Sequence, residues 1–99
     1  MYKRDEVLGF LRANKDYFFF NFMITKIGVF GSFGREEQNE NCDLDILIEF
    51  EEGTSDLFEK KQVLKDFLSH RFQISVDVCR EKSIKPVFLS LIMKDLIYA

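Results

Sequence analysis

Apolar positions recur along this chain at two spacings, and the alternation between them lays out the elements. Val7, Leu8 and Leu11, with Phe10 beside them, recur at three- and four-residue intervals in residues 3–14, which predicts a helix with one apolar stripe. The aromatic-rich residues 15–22 continue it as a short helix or turn. Two dense apolar runs follow, Ile24–Phe30 and Leu44–Phe50, and their branched and aromatic side chains predict strands. Between them, residues 33–42 carry Gly34, Gln38, Asn39, Glu40 and Asn41 with almost nothing apolar, the pattern of a surface loop. Glu51, Glu52, Gly53 and Thr54 make a turn. Ser55 then stands where it can cap a helix from Asp56 to about His70, with Leu57, Val63, Leu64, Phe67 and Leu68 as its buried stripe. Residues 73–79 alternate Ile74, Val76 and Val78 with Ser75, Asp77 and Cys79, which predicts a third strand. Pro86 suits the start of a final helix carrying Val87, Leu89, Leu91, Ile92, Leu96 and Ile97. These elements predict an α/β (α+β) fold, a small mixed sheet of three or more strands packed by helices, in one domain over residues 1–99.

The chemistry concentrates where the first two strands meet the polar loop. The first strand delivers Gly31-Ser32, and the second opens on Asp43-Leu44-Asp45. Residues two apart on a strand face the same way, so Asp43 and Asp45 present their carboxylates on one side with Cα atoms about 7 Å apart. Asp77 extends the set from a neighbouring strand. Three converging carboxylates repel one another unless a cation lies among them, and hard oxygen donors suit Mg²⁺. Two such ions roughly 3.5–4 Å apart would clamp the attacking and leaving oxygens of a displacement at a phosphorus. Gly31 lets a backbone approach phosphates, Ser32 offers a hydroxyl and an amide to their oxygens, and Arg35 would neutralise a triphosphate or pyrophosphate. Taken singly, a Gly-Ser pair is a turn, Asp43-Leu44-Asp45 a solvated strand entry, and Asp77 an edge charge that deters aggregation. Together, with strands on both sides, they read as a site.

Over nearly its whole length the chain resembles the minimal nucleotidyltransferases of the polymerase beta superfamily, whose motif is Gly-Ser, ten variable residues, then Asp-x-Asp. Val29-Phe30-Gly31-Ser32-Phe33-Gly34-Arg35 is similar to the family's phosphate turn, Cys42 to Ile48 to its acidic strand, Val76-Asp77-Val78 to its third-acid strand, and residues 85–99 to its closing helix. The family often has Ala where this chain has Gly34, Gly where it has Glu36, and Ser where it has Cys42. The resemblance implies a nucleotidyltransferase that takes ATP, with Asp43, Asp45 and Asp77 as catalytic metal ligands and Gly31, Ser32 and Arg35 on the nucleotide. It further implies an antitoxin that transfers AMP to a tyrosine of a HEPN-domain ribonuclease toxin, the product of an adjacent gene. A steric antitoxin without catalysis, and a nucleotidyltransferase subunit acting on a small molecule, are the competing readings.

Composition narrows the picture further. With 99 residues there is room for one modest core and none for a separate substrate-recognition domain, so an acceptor would be small or brought by a partner. The net charge of −3 gives no general case for nucleic-acid binding. No leader or long apolar span is evident, which makes a cytoplasmic location the default expectation. Cys42 and Cys79 lack a paired metal spacing and read as reduced thiols, and His70 reads as a helix-end surface residue. Phe18, Phe19, Phe20 and Phe22 cannot all face inward from one short helix, so part of that cluster is expected at the surface; it reads equally as a patch for docking to another protein or to a second copy and as part of a phenylalanine-rich core. Glu49-Phe50-Glu51-Glu52 reads as a solvated strand end, and Lys60, Lys61 and Lys65 as a solvated helix face.

Overall fold

A computed structural model describes residues 1–99. Helices α1 (Arg4–Ala13) and α2 (Lys15–Phe22) precede β1 (Ile24–Phe30), and a single helical turn, α3 (Gly31–Gly34), leads through a loop to β2 (Leu44–Phe50). There follow α4 (Leu57–Phe72), β3 (Val76–Arg80), a 3₁₀ turn (Glu81–Ser83), α5 (Pro86–Met93) and β4 (Ile97–Tyr98). The four strands lie in the order β3-β2-β1-β4. β1 pairs antiparallel with β2 and with β4, whereas β2 and β3 run parallel, which requires the crossover that α4 supplies.

β2 is one of the two inner strands and is buried from Ile46 to Phe50. Its alternation splits its side chains between two faces. Leu44, Ile46, Ile48 and Phe50, with Val76 and Val78 of β3, join the core formed with Val7, Leu8 and Leu11 of α1 and Leu64, Leu68 and Phe72 of α4. Asp45, Leu47 and Glu49 point to the opposite face, as do Asp77 and Cys79, the register partners of Asp45 and Leu47. The helices α1, α2 and α4 thus close one face, and the other carries the polar chemistry.

Several sequence expectations change at this level. Helix α4 runs on to Phe72, which is buried against Tyr2 and Phe10. Val63 is 57% exposed, because it lies about 100° round the helix from Leu64 and so off the Leu64–Leu68–Phe72 stripe. Ser55 does not cap α4: Asp56 takes the N-cap position in left-handed backbone, and the Ser55 carbonyl accepts a bond from Lys60 Nζ at 2.7 Å. The third strand starts at Val76, after Gln73 ends α4 in left-handed backbone. Ile97 belongs to β4 and not to the closing helix, because the free edge of β1 offers Gly28 and Val29 as partners to Tyr98 and Ile97. The expectation of a solvated Glu49 is overturned: it is buried, and Arg80 Nε and the backbone N–H groups of Lys82 and Phe50 all donate to its carboxylate. In the aromatic cluster, Phe18 and Phe22 are core residues while Phe19 and Phe20 are exposed.

Candidate active site

The turn after β1 is built against the acidic strand. Gly31 has φ +66°, the left-handed region, and a Cβ there would run into the carboxylate of Asp45. Only glycine satisfies both demands, and the turn backbone therefore abuts Asp45 directly. Ser32 is half-buried in the same turn. At Gly34 a Cβ would meet the carbonyl oxygen of Asp95, which gives the departure from alanine at this position a physical reason. Arg35 stands at the rim, its Nη1 bonded to Asp95 Oδ2 at 2.9 Å and its Nε to Glu37 Oε2 at 3.2 Å, and these two hydrogen bonds raise its pKa. Glu36 occupies left-handed backbone with φ 58°, the conformation a glycine takes without strain, and pairs with Arg4 at 3.2 Å.

The acids gather at the other side of this turn. Asp45 and Asp77 are direct partners across the parallel β2–β3 ladder, and Asp45 also pairs with Phe30, the residue before Gly31. Asp43 and Asp77 are exposed and line one cleft of about 300 Å³, into which α4 also presents Lys65. The expected solvated lysine face is modified accordingly, with Lys61 and Lys65 half-buried beside β3. Lys65 and Asp66 line this cleft and were missed by sequence reasoning, because charged residues on outward helix positions carry no local signal.

Asp45 is the perturbed group. Burial, then the charges of Asp77 and Asp43, push its pKa up from 3.8 to about 6, with Arg35 pulling the other way. The ion pairs of the molecule join Arg4, Lys26, Arg35 and Arg80 to other acids and leave Asp43, Asp45 and Asp77 without a basic partner. Three unpaired carboxylates, one half-desolvated and resisting ionisation, are a donor set suited to a hard divalent cation such as Mg²⁺. As they stand they do not close into a cluster of metal-ligand dimensions, where the sequence reading has them converge. Cys42 and Cys79 are free thiols, as expected, and burial followed by the charge of Asp77 pushes the Cys79 thiol up, away from reactivity. His70 is exposed at the end of α4.

A family model described as the nucleotidyltransferase domain matches residues 9–99. A relative from Thermococcus cleftensis named as a protein adenylyltransferase is 33% identical over 94 residues, 95% of this chain and 93% of that one. Among solved structures, a minimal nucleotidyltransferase superposes with a TM-score of 0.78 at 25% identity, over 97% of this chain and 95% of that one. A toxin–antitoxin complex with AMP-PNP shares the fold, with a TM-score of 0.69 at 18% identity, over 98% of this chain and 72% of that one. No helix is long and apolar enough to cross a membrane.

Proposed function

The chain belongs to the nucleotidyltransferase domain family and is a nucleotidyltransferase; we propose that its reaction is Mg²⁺-dependent transfer of AMP from ATP to a tyrosine hydroxyl of a HEPN-domain ribonuclease toxin, which is thereby neutralised in the cytoplasm. The observation that carries this reading is the packing of the Gly31 turn onto the carboxylate of Asp45, with Asp77 directly across the ladder. A phosphate chain seated on that turn lies against the acids. The relative named as a protein adenylyltransferase and the shared fold of the toxin–antitoxin complex support the choice of a protein acceptor.

In this reading Gly31 and Ser32 hold the β- and γ-phosphates through backbone N–H groups and the Ser32 hydroxyl. Arg35, at the rim, exchanges a carboxylate partner for the phosphates and neutralises the departing pyrophosphate. Asp43, Asp45 and Asp77 would hold two Mg²⁺ ions, which when bound would neutralise charge on the attacking and leaving oxygens. The acceptor oxygen forms a bond to the α-phosphorus as the bond from that phosphorus to the bridging oxygen of the β-phosphate breaks. Asp77, the most solvated of the strand acids, takes up the hydroxyl proton and passes it to water. A phenol, with a pKa of about 10, gives up that proton more readily than an aliphatic alcohol.

The test is label transfer from α-phosphate-labelled ATP, with Mg²⁺, to the HEPN-domain protein encoded beside this chain, run in parallel with Asp43→Asn. Label on the partner with the wild type alone, located on a tyrosine by mass spectrometry, is the expected result. A tight complex with no label would replace this reading with a steric antitoxin.

A further inference from the structure

Helix α5 buries none of its side chains completely, and it has no charged residue between Pro86 and Met93. Leu89 and Ile92 are half-buried, while Val87, Phe88 and Leu91 are 66%, 55% and 55% exposed and share the outer face at helical spacing. An apolar ridge of this kind on a small protein marks an interaction surface. Its rim is basic, with Lys82 and Lys85 exposed before the helix and Lys94 after it, although the chain as a whole carries −3. The ridge also ends at the site: Asp95, two residues beyond α5, rests its carbonyl against Gly34 and holds Arg35.

We propose that the outer face of α5, formed by Val87, Phe88 and Leu91 with Lys85 and Lys94 flanking, docks the protein that carries the acceptor hydroxyl, through an apolar patch rimmed by carboxylates. The inference rests on the protein adenylyltransferase reading above and adds where that substrate sits. A protein acceptor must hold one hydroxyl within about 3–3.5 Å of the α-phosphorus, which calls for a docking surface contiguous with the site. A second copy of the chain fits the face poorly, because a two-fold antiparallel pairing of α5 sets Lys85 of one copy against Lys94 of the other.

The experiment measures affinity of the whole chain for the HEPN-domain protein encoded beside it, for the wild type, Phe88→Ser/Leu91→Ser and Lys85→Glu/Lys94→Glu, with Mg-ATP affinity measured in parallel. Each double variant should weaken the complex by about 30-fold or more with nucleotide affinity unchanged, the signature of a lost interface anchor. Unchanged partner affinity in the variants overturns the proposal. If the apolar variant does not fold, the charge-reversed one, altered only at exposed lysines, decides alone. A wild type that binds without labelling the partner keeps the docking face and removes the chemistry; one that labels it while both variants bind normally removes the docking face and keeps the chemistry; one that neither binds nor labels it overturns both. A wild-type dimer, or wild-type flotation with phosphatidylserine vesicles, lost in the variants while partner binding survives, would assign the face to a second copy or to lipid instead.

Discussion

Asp45 and Glu49 sit on the same strand and the same face, about 13 Å apart, and the protein treats them in opposite ways. Glu49 is buried yet fully engaged: Phe50 N–H donates at 2.8 Å, Lys82 N–H at 2.9 Å and Arg80 Nε at 2.9 Å. Burial alone would raise its pKa, but these donors outweigh it and hold the carboxyl below its ordinary value. Asp45, partly buried, has two like charges nearby and no ion-pair partner, and its pKa rises to about 6. One end of β2 is therefore closed by its own charge partners and tethers the turn leading to α5. The other is left electrostatically unfinished, and a carboxylate left so beside the Gly31 turn marks a candidate ligand site.

The largest expected effect is on activity. Asp45→Asn or Asp43→Asn should lower AMP transfer on the order of 10³-fold or more with the fold retained, checked by label transfer beside circular dichroism. At the other end, Glu49→Ala should leave the Arg80 guanidinium without its partner and destabilise the protein by about 2–3 kcal/mol, read from denaturant unfolding.

The two carboxylates should also respond to pH with opposite signs. The folded state holds the Asp45 proton more tightly than the unfolded one, so that contribution is full below 3.8 and lost as pH rises through about 6. Glu49, with a lowered value, contributes stability above its ordinary 4.5 that is lost as pH falls through the folded value. Without divalent cation, Asp45→Asn should therefore melt higher than wild type at pH 7 and level with it near pH 3.5, and Mg²⁺ should narrow the gap at pH 7.

Ser32→Ala should raise KM for ATP by about tenfold, the loss of one hydrogen bond to a charged group, with kcat little changed. The smallest effect is at Glu36, where replacement by Gly relieves about 1 kcal/mol of left-handed backbone strain but loses the exposed pair with Arg4, a net gain of a few tenths seen as a small rise in Tm.

The candidate site was legible in sequence because its signal is local. Gly31-Ser32 and Asp43-Leu44-Asp45 flank strands whose bounds, Ile24–Phe30 and Leu44–Phe50, follow from unbroken apolar runs. What escaped depends on distant partners. Leu96 and Ile97 continue the spacing of Leu89 and Ile92 and read as helix, and only the free edge of β1 turns Ile97–Tyr98 into a strand. Glu49 stands next to Glu51 and Glu52 in sequence and reads as solvated; its burial follows from Arg80 and Lys82, more than 30 positions away. The approach of Asp95 to Gly34 and Arg35 closes a separation of 60 residues, beyond any local pattern.

The most direct test measures AMP transfer from α-labelled ATP to the proposed HEPN-domain partner by Asp45→Asn and Glu49→Gln side by side, below the melting temperature of both. The account predicts that Asp45→Asn loses transfer on the order of 10³-fold while Glu49→Gln stays within about tenfold of wild type. Transfer by Asp45→Asn at the wild-type rate, or an equal collapse in both variants, would contradict the division of β2 into a ligand end and a structural end.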